Sequence, residues 1–187
     1  LGEATGQARW IEVARDTADT MLDRYWDVDN GGLFTVADDG EALVVRQKDL
    51  VDNAVPATNS TAALALLRLA ALTGDSRYTN HADRIFSLLA PVVAGQPIAF
   101  AQLVSGLDLR LAGTTEIAIV GARDDLVRAA QERFLPRAVL AWGERYDSPL
   151  WADREDGLGY VCEGYSCQLP AAGLAGFIEQ LTSLCKL

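Results

Sequence analysis

The chain has 187 residues, half of them hydrophobic and 22% charged, enough apolar material for a sizeable core. A net charge of −10 excludes nucleic acid and an anionic membrane surface as partners, because both demand clustered Lys and Arg. The longest apolar run, 62–72, contains Arg68 and falls well short of the roughly 18 residues that cross a bilayer, so no membrane partner is expected.

The first helix is predicted over about 7–25. Trp10, Ile11, Ala14, Ala18, Met21, Leu22 and Tyr25 recur at helical spacing and draw one buried face. Glu12, Arg15, Asp16, Asp19 and Asp23 fill the other; Arg9 and Arg15 share it, so a solvated face is expected there rather than a metal site. Asp27, Asp29 and Asn30 ahead of Gly31-Gly32 look like the opening of a calcium loop. Gly31, however, falls where an oxygen ligand is needed, and a strand-like run follows instead of a helix. A structural turn is the expectation. The runs 33–36 and 42–45, joined through Asp38-Asp39-Gly40, predict a β-hairpin that serves as a flap near 33–46.

A second helix is predicted over 60–73. It is apolar almost all round, with Arg68 its one charge, so it must be enclosed on nearly every side. Gly74 stops it, and Asp75 or Ser76 caps a third helix with Tyr78, Ala82, Ile85, Phe86 and Leu89 inward. Pro91 bends or ends that helix. A fourth, about 98–111, buries Phe100, Leu103, Val104 and Leu107, and the short connections make helical hairpins.

The character changes near Thr114. Strand 117–120, helix 124–134 and strand 138–142 predict a parallel pair. A polar loop (143–156), a third strand (159–162) and a closing helix (171–184) follow. Residues 1–113 are therefore read as one helical domain and 114–187 as a small α/β subdomain.

Several chemistries fail on the residues themselves. Gly121 stands alone, and Asp124 and Asp125 occupy the helix start where a phosphate would bind. His81 is the only histidine, which excludes a two-histidine mechanism within this chain. One His and three Cys lack zinc-ligand spacing, and no cofactor is expected. The odd cysteine count suggests a reducing compartment, the cytoplasm, with allowance for a Cys162–Cys167 bridge. The four residues between those cysteines read as a β-turn carrying two structural thiols or a weak bridge.

One cluster is left. Arg46, Lys48, Asp49, Asp52, Asn53, Asn59 and Ser60 crowd around Pro56, between the predicted flap and the enclosed helix. They suit sugar recognition at a cavity mouth, with Tyr25 and Trp26 for stacking. They equally suit loop and cap chemistry.

Lys48-Asp-Leu-Val-Asp-Asn-Ala-Val-Pro-Ala-Thr-Asn-Ser60, then Leu66-Leu-Arg-Leu69 and Leu72-Thr-Gly-Asp75-x-x-Tyr78, resembles the thioredoxin-domain-containing proteins related to spermatogenesis-associated protein 20. Their loop commonly reads Ser-Gly where this chain has Ala57-Thr58. Tyr160-Val-Cys162 with Cys167 and Pro170 resembles their C-terminal motif, so the likeness runs from about residue 8 to the end.

The resemblance implies a longer parent with an N-terminal thioredoxin-like domain, absent here, as one partner. It also implies a mainly α fold: part of an (α/α)6 toroid similar to six-hairpin glycosidases and N-acylglucosamine 2-epimerases, plus the small α/β piece. The epimerase relatives rely on histidines with no counterpart here, the glycosidase relatives on a carboxylate pair. Asp49 and Asp52 are thus the candidate catalytic residues, as candidates for one member of such a pair, with its partner expected on the part of the parent outside this chain. Tyr25, Trp26, Asn53, Asn59 and Ser60 are the candidate binding residues for a sugar-like small molecule. The rival reading is a non-catalytic scaffold. Part of a toroid uncovers apolar surface, so self-association of the isolated chain is expected.

Overall fold

The computed structural model describes residues 1–41 and 44–184. They divide into two units, one of Ala14–Ala70 with Asp75–Leu111, the other of Leu1–Val13, Ala71–Gly74 and the chain from Ala112 onward. Among the described residues no helix is long and apolar enough to cross a membrane.

Helix α1 (Gly2–Thr5) is short, and α2 (Arg9–Tyr25), α3 (Thr58–Thr73), α4 (Ser76–Val93) and α5 (Ala101–Ala112) follow. The enclosure that the composition of α3 demands is present: from Asn59 to Thr73 only Thr61 and Ala65 are exposed. In the helical unit Leu66, Leu67 and Leu69 pack with Ala18 of α2, Tyr78, Ile85 and Leu89 of α4, and Leu103 and Leu109 of α5. The Asp75 carboxylate caps α4 by accepting the Arg77 amide at 2.9 Å. Pro91 does not stop α4, which runs on past it to Val93. The inner face of α5 is Leu103, Gly106 and Leu109, while Val104, expected inside, is exposed.

Polar ties join these helices inside the unit. Arg110 donates to both Asp83 carboxylate oxygens, at 2.7 and 3.0 Å. The Tyr78 hydroxyl donates to Asp19 at 2.9 Å; burial first, and the Asp19 carboxylate next, push that phenol up to about 12.

The β-hairpin expected over 33–46 is not formed among the described residues. Leu33 makes a single antiparallel bridge with Trp26, and the Thr35 amide donates to the Gln47 carbonyl at 2.8 Å. Arg46 takes over from a second strand: Nη2 donates to the carbonyls of Val36 (2.6 Å) and Arg24 (3.3 Å), with the guanidinium 4.2 Å from the Phe34 ring centre. Ala42 and Leu43 of the expected strand lie outside the described residues. Val44 and Val45 are both exposed, so no buried face fixes a register there.

The second unit is built on a four-stranded sheet in the order β2-β1-β3-β4. Strands β1 (Thr115–Ile119) and β2 (Ala138–Ala141) are parallel, joined through α6 (Asp124–Gln131) as the strand–helix–strand pattern predicts. Strands β3 (Gly159–Glu163) and β4 (Ser166–Cys167) add antiparallel. One face carries Ile117, Ile119 and Val161 against α6 and α7 (Leu174–Leu184). The other carries Ala118, Val139, Tyr160 and Cys162 against Ile11, Leu72, Leu150 and Trp151. Cys185 lies outside the described residues.

Glu116 is the exception in β1, a carboxyl only 3% exposed whose Oε2 accepts the Tyr165 amide at 3.1 Å. Burial pushes it above the usual carboxyl range, only partly offset by the backbone amides of Tyr165, Glu116 and Gly164. A carboxyl raised in the folded state keeps its proton while the unfolded chain has already ionised. Its contribution is therefore full below about pH 4 and is lost as pH climbs through the folded value. Relative to wild type, Glu116→Gln is expected to gain stability steadily as pH rises, read from urea midpoints along a pH series; a constant offset would contradict it.

Candidate functional site

The segment before α3 is polar and carries one proline, yet it is tightly fixed within the helical unit. Asp52 does most of this. Its Oδ1 accepts the Ala57 amide at 2.8 Å; its Oδ2 accepts the amides of Gln102 (2.8 Å) and Leu103 (3.4 Å) in the first turn of α5. The Asp52 amide itself donates to the Ala99 carbonyl at 2.9 Å. A negative charge at a helix N-terminus is well placed, and these amides would otherwise lack helical partners.

Asp49 caps α3 from nine positions earlier. Its Oδ2 accepts both the Thr58 amide (2.8 Å) and the Thr58 hydroxyl (3.1 Å). Among the described residues Oδ1 of Asp49 makes no hydrogen bond.

Asn59 is fully buried and joins three segments. Its Oδ1 accepts the Leu33 amide at 2.7 Å, while Nδ2 donates to the carbonyls of Leu33 (3.0 Å) and Asp49 (2.8 Å). Gly32 permits that approach. It holds φ +78°, and a Cβ there would sit 2.9 Å from Leu88 Cδ2 and 3.0 Å from Asn59 Oδ1.

The aromatic candidates connect to the same network through the backbone. The Phe34 amide donates to the Tyr25 carbonyl at 2.9 Å, and Trp26 bridges Leu33. The Trp26 ring stands edge-on to His81 with centroids 4.6 Å apart, and the Arg84 guanidinium lies 5.2 Å from its centre. His81 Nδ1 lies 2.7 Å from the Arg77 carbonyl, the geometry of a donated bond in that tautomer. Asn53 is exposed, its side-chain amide donating to Val51 at 3.4 Å. Ser60 is fully buried, and its hydroxyl finds no partner among the described residues.

The structure thus brings Tyr25, Trp26, Asp49 and Asn59 into one connected group by way of Leu33 and Phe34. Asp52 and Asn53 sit on the adjoining loop.

A second polar centre, read in sequence only as a turn, lies beside this group. Asp27 Oδ1 accepts the amides of Asp29 and Asn30, each at 3.0 Å, and Oδ2 accepts Lys48 Nζ at 2.8 Å. Lys48 also donates to the Gly31 carbonyl at 2.5 Å. Where a calcium loop would hold a cation, an ammonium and turn amides occupy the carboxylate. The Lys48 contact, then the Asn30 amide, hold Asp27 well below the usual carboxylate range. The Asp27-x-Asp-Asn-Gly-Gly spacing foretold the turn; nothing local pointed to Lys48, 21 positions away.

Residues 1–96 match the family model of N-acylglucosamine 2-epimerase (GlcNAc 2-epimerase), just over half of the chain. The chain belongs to that family, and the hydrogen-bonded loop described above falls inside the matched region. Its relatives include spermatogenesis-associated protein 20 of Homo sapiens, 28% identical, and of Rattus norvegicus, 30% identical. Each comparison covers 91% of this chain and 24% of the relative, so the chain spans about a quarter of the length of these proteins.

Proposed function

We propose that this chain supplies one arc of an (α/α)6 toroid in a longer protein, and that the loop 49–60 with Tyr25 and Trp26 forms part of the rim of its sugar-binding cavity. The observation that carries this reading is a polar loop, tied down by hydrogen bonds to backbone amides, at the start of an enclosed helix in an epimerase-family domain. Asp52 and Asn59 hold the loop in shape, because their polar atoms are already taken by backbone groups. Asp49, with Oδ1 unengaged among the described residues, is the carboxylate that meets a sugar hydroxyl and the acid–base candidate of the two. The exposed Asn53 amide adds a donor and an acceptor, and the half-buried residues Tyr25 and Trp26 are the aromatic candidates for a pyranose, Trp26 with one face taken by Arg84.

Asp49→Asn tests this, since an amide oxygen still accepts from Thr58 while the charge is lost. In the full-length protein, Asp49→Asn is expected to weaken binding of N-acylated amino sugars about tenfold, the worth of one charge-assisted hydrogen bond, in calorimetric titration. Wild-type affinity in that variant would remove Asp49 from the site.

A scaffold reading, in which the chain serves the thioredoxin-like domain that the sequence resemblance implies, draws support from a different feature. Ile98, Leu111, Val51 and Val55 of the helical unit are exposed apolar side chains suited to a protein partner or to self-association. That reading predicts no sugar affinity at any position.

A further inference from the structure

The sheet unit carries a chemical feature that a sugar site does not use. Cys162 and Cys167 are joined by a disulfide and stand directly opposite each other across β3 and β4. Cys162 is buried at 1% exposure, whereas Cys167 is partly open to solvent. The Arg154 guanidinium is aimed at both sulfurs, with Nη2 2.8 Å from Cys167 Sγ and 3.5 Å from Cys162 Sγ. It is held there by the Tyr160 ring, 4.5 Å from its centre, and by Nε donating to the Leu150 carbonyl at 3.4 Å. Among the described residues no carboxylate pairs with Arg154.

A guanidinium gains little from a neutral disulfide sulfur, a poor acceptor. It gains much more from a thiolate, and neighbouring cations are what lower a cysteine's pKa and make it reactive. An ordered, part-buried cation with no carboxylate partner, directed at two sulfurs of unequal exposure, therefore matches the reduced state better than the oxidised one.

We propose that Cys162–Cys167 is an exchange-competent disulfide, with Arg154 as the residue that steadies its thiolates and a dithiol as the reacting partner. One thiolate of the dithiol attacks the open sulfur, Cys167 Sγ. A mixed disulfide forms, the Cys162–Cys167 bond breaks, and the electron pair leaves on Cys162 Sγ beside Arg154. The second thiolate of the dithiol then attacks its own sulfur in the mixed disulfide. Cys167 is released as a thiolate, again beside Arg154, and the dithiol departs as a cyclic disulfide. Two electrons and two protons pass from dithiol to protein, and the reverse sequence reoxidises the pair. In that direction Cys167 is the exposed nucleophile and Cys162 the buried residue that resolves the mixed disulfide.

The test uses the whole chain, folded, in reduced and oxidised dithiothreitol, with thiols trapped by iodoacetamide and located by peptide mass spectrometry. Reduction without denaturant is expected, with Cys167 alkylated at least about tenfold faster than Cys162, following thiolate character and access. Arg154→Gln should slow Cys167 alkylation about tenfold, the equivalent of one pKa unit, and Arg154→Lys should restore most of the rate. A bridge that opens only on unfolding would overturn the proposal, as would equal reactivity of the two wild-type cysteines, a measurement that needs no variant. So would an Arg154→Gln chain that folds and alkylates at the wild-type rate.

Discussion

Asn59→Ala is expected to destabilise the helical unit by about 3–5 kcal/mol, lowering its melting temperature by about ten degrees or more. The argument rests on what the side chain leaves behind. Removing it strands the Leu33 amide, the Leu33 carbonyl and the Asp49 carbonyl, with the whole amide at 0% exposure, where water has no access without a rearrangement. Each unsatisfied buried polar group costs about 1–3 kcal/mol, which far exceeds the helix propensity that alanine gains. Asn59→Asp should be worse than its size suggests, because it replaces two donated bonds with a buried charge facing two carbonyls. Thermal unfolding followed by circular dichroism checks both. A loss under about 1 kcal/mol for Asn59→Ala would mean that Leu33 and Asp49 find other partners and that Asn59 does not organise this loop.

The second large effect is expected at the Lys48–Asp27 pair, whose side chains are only 13% and 10% exposed. Lys48→Met should cost about 3 kcal/mol, because it leaves a buried carboxylate with turn amides but no counter-charge. Asp27→Asn strands the ammonium instead. The double variant should recover part of the loss, so a double-mutant cycle is expected to give coupling of about 1–3 kcal/mol. The pH dependence has a definite sign. Lys48 lowers the folded pKa of Asp27, so this stabilisation is complete above the usual carboxylate range and is lost as pH falls toward the folded value. Lys48→Met should therefore lose its disadvantage against wild type in strong acid. An offset independent of pH would show that the pair acts through packing alone.

These two sites mark where sequence reasoning stopped. Local periodicity carried the elements whose partners are close in sequence. The enclosed α3, the Asp75 cap of α4 and the parallel strands joined through α6 all follow from spacing, capping and connection rules. The expected hairpin is not formed among the described residues, because turn chemistry at Asp38-Asp39-Gly40 says nothing about pairing; Arg46 donates instead to the carbonyls of Val36 and Arg24. In the loop 49–60 the residue types were legible, but their obligations were not. Asp52 reaches α5 fifty positions away and Asn59 reaches Leu33 twenty-six positions back. Only the folded chain distinguishes a carboxylate with both oxygens bound from one with an oxygen to offer. Arg154 gave no local signal either, lying eight positions before Cys162 in a stretch that reads as polar loop.

Thermal unfolding of the full-length protein against a panel of neutral and N-acylated sugars, beside Asp49→Asn, tests the central claim most directly. A sugar present at about 100 times its dissociation constant should stabilise the protein by about 2.7 kcal/mol, several degrees in melting temperature. The account predicts such a shift for at least one N-acylated sugar in the wild type and a much smaller one in Asp49→Asn. Identical shifts in both proteins, or none across the panel, would contradict a sugar-binding rim at 49–60 and leave those residues as the caps and ties that hold α3 and α5.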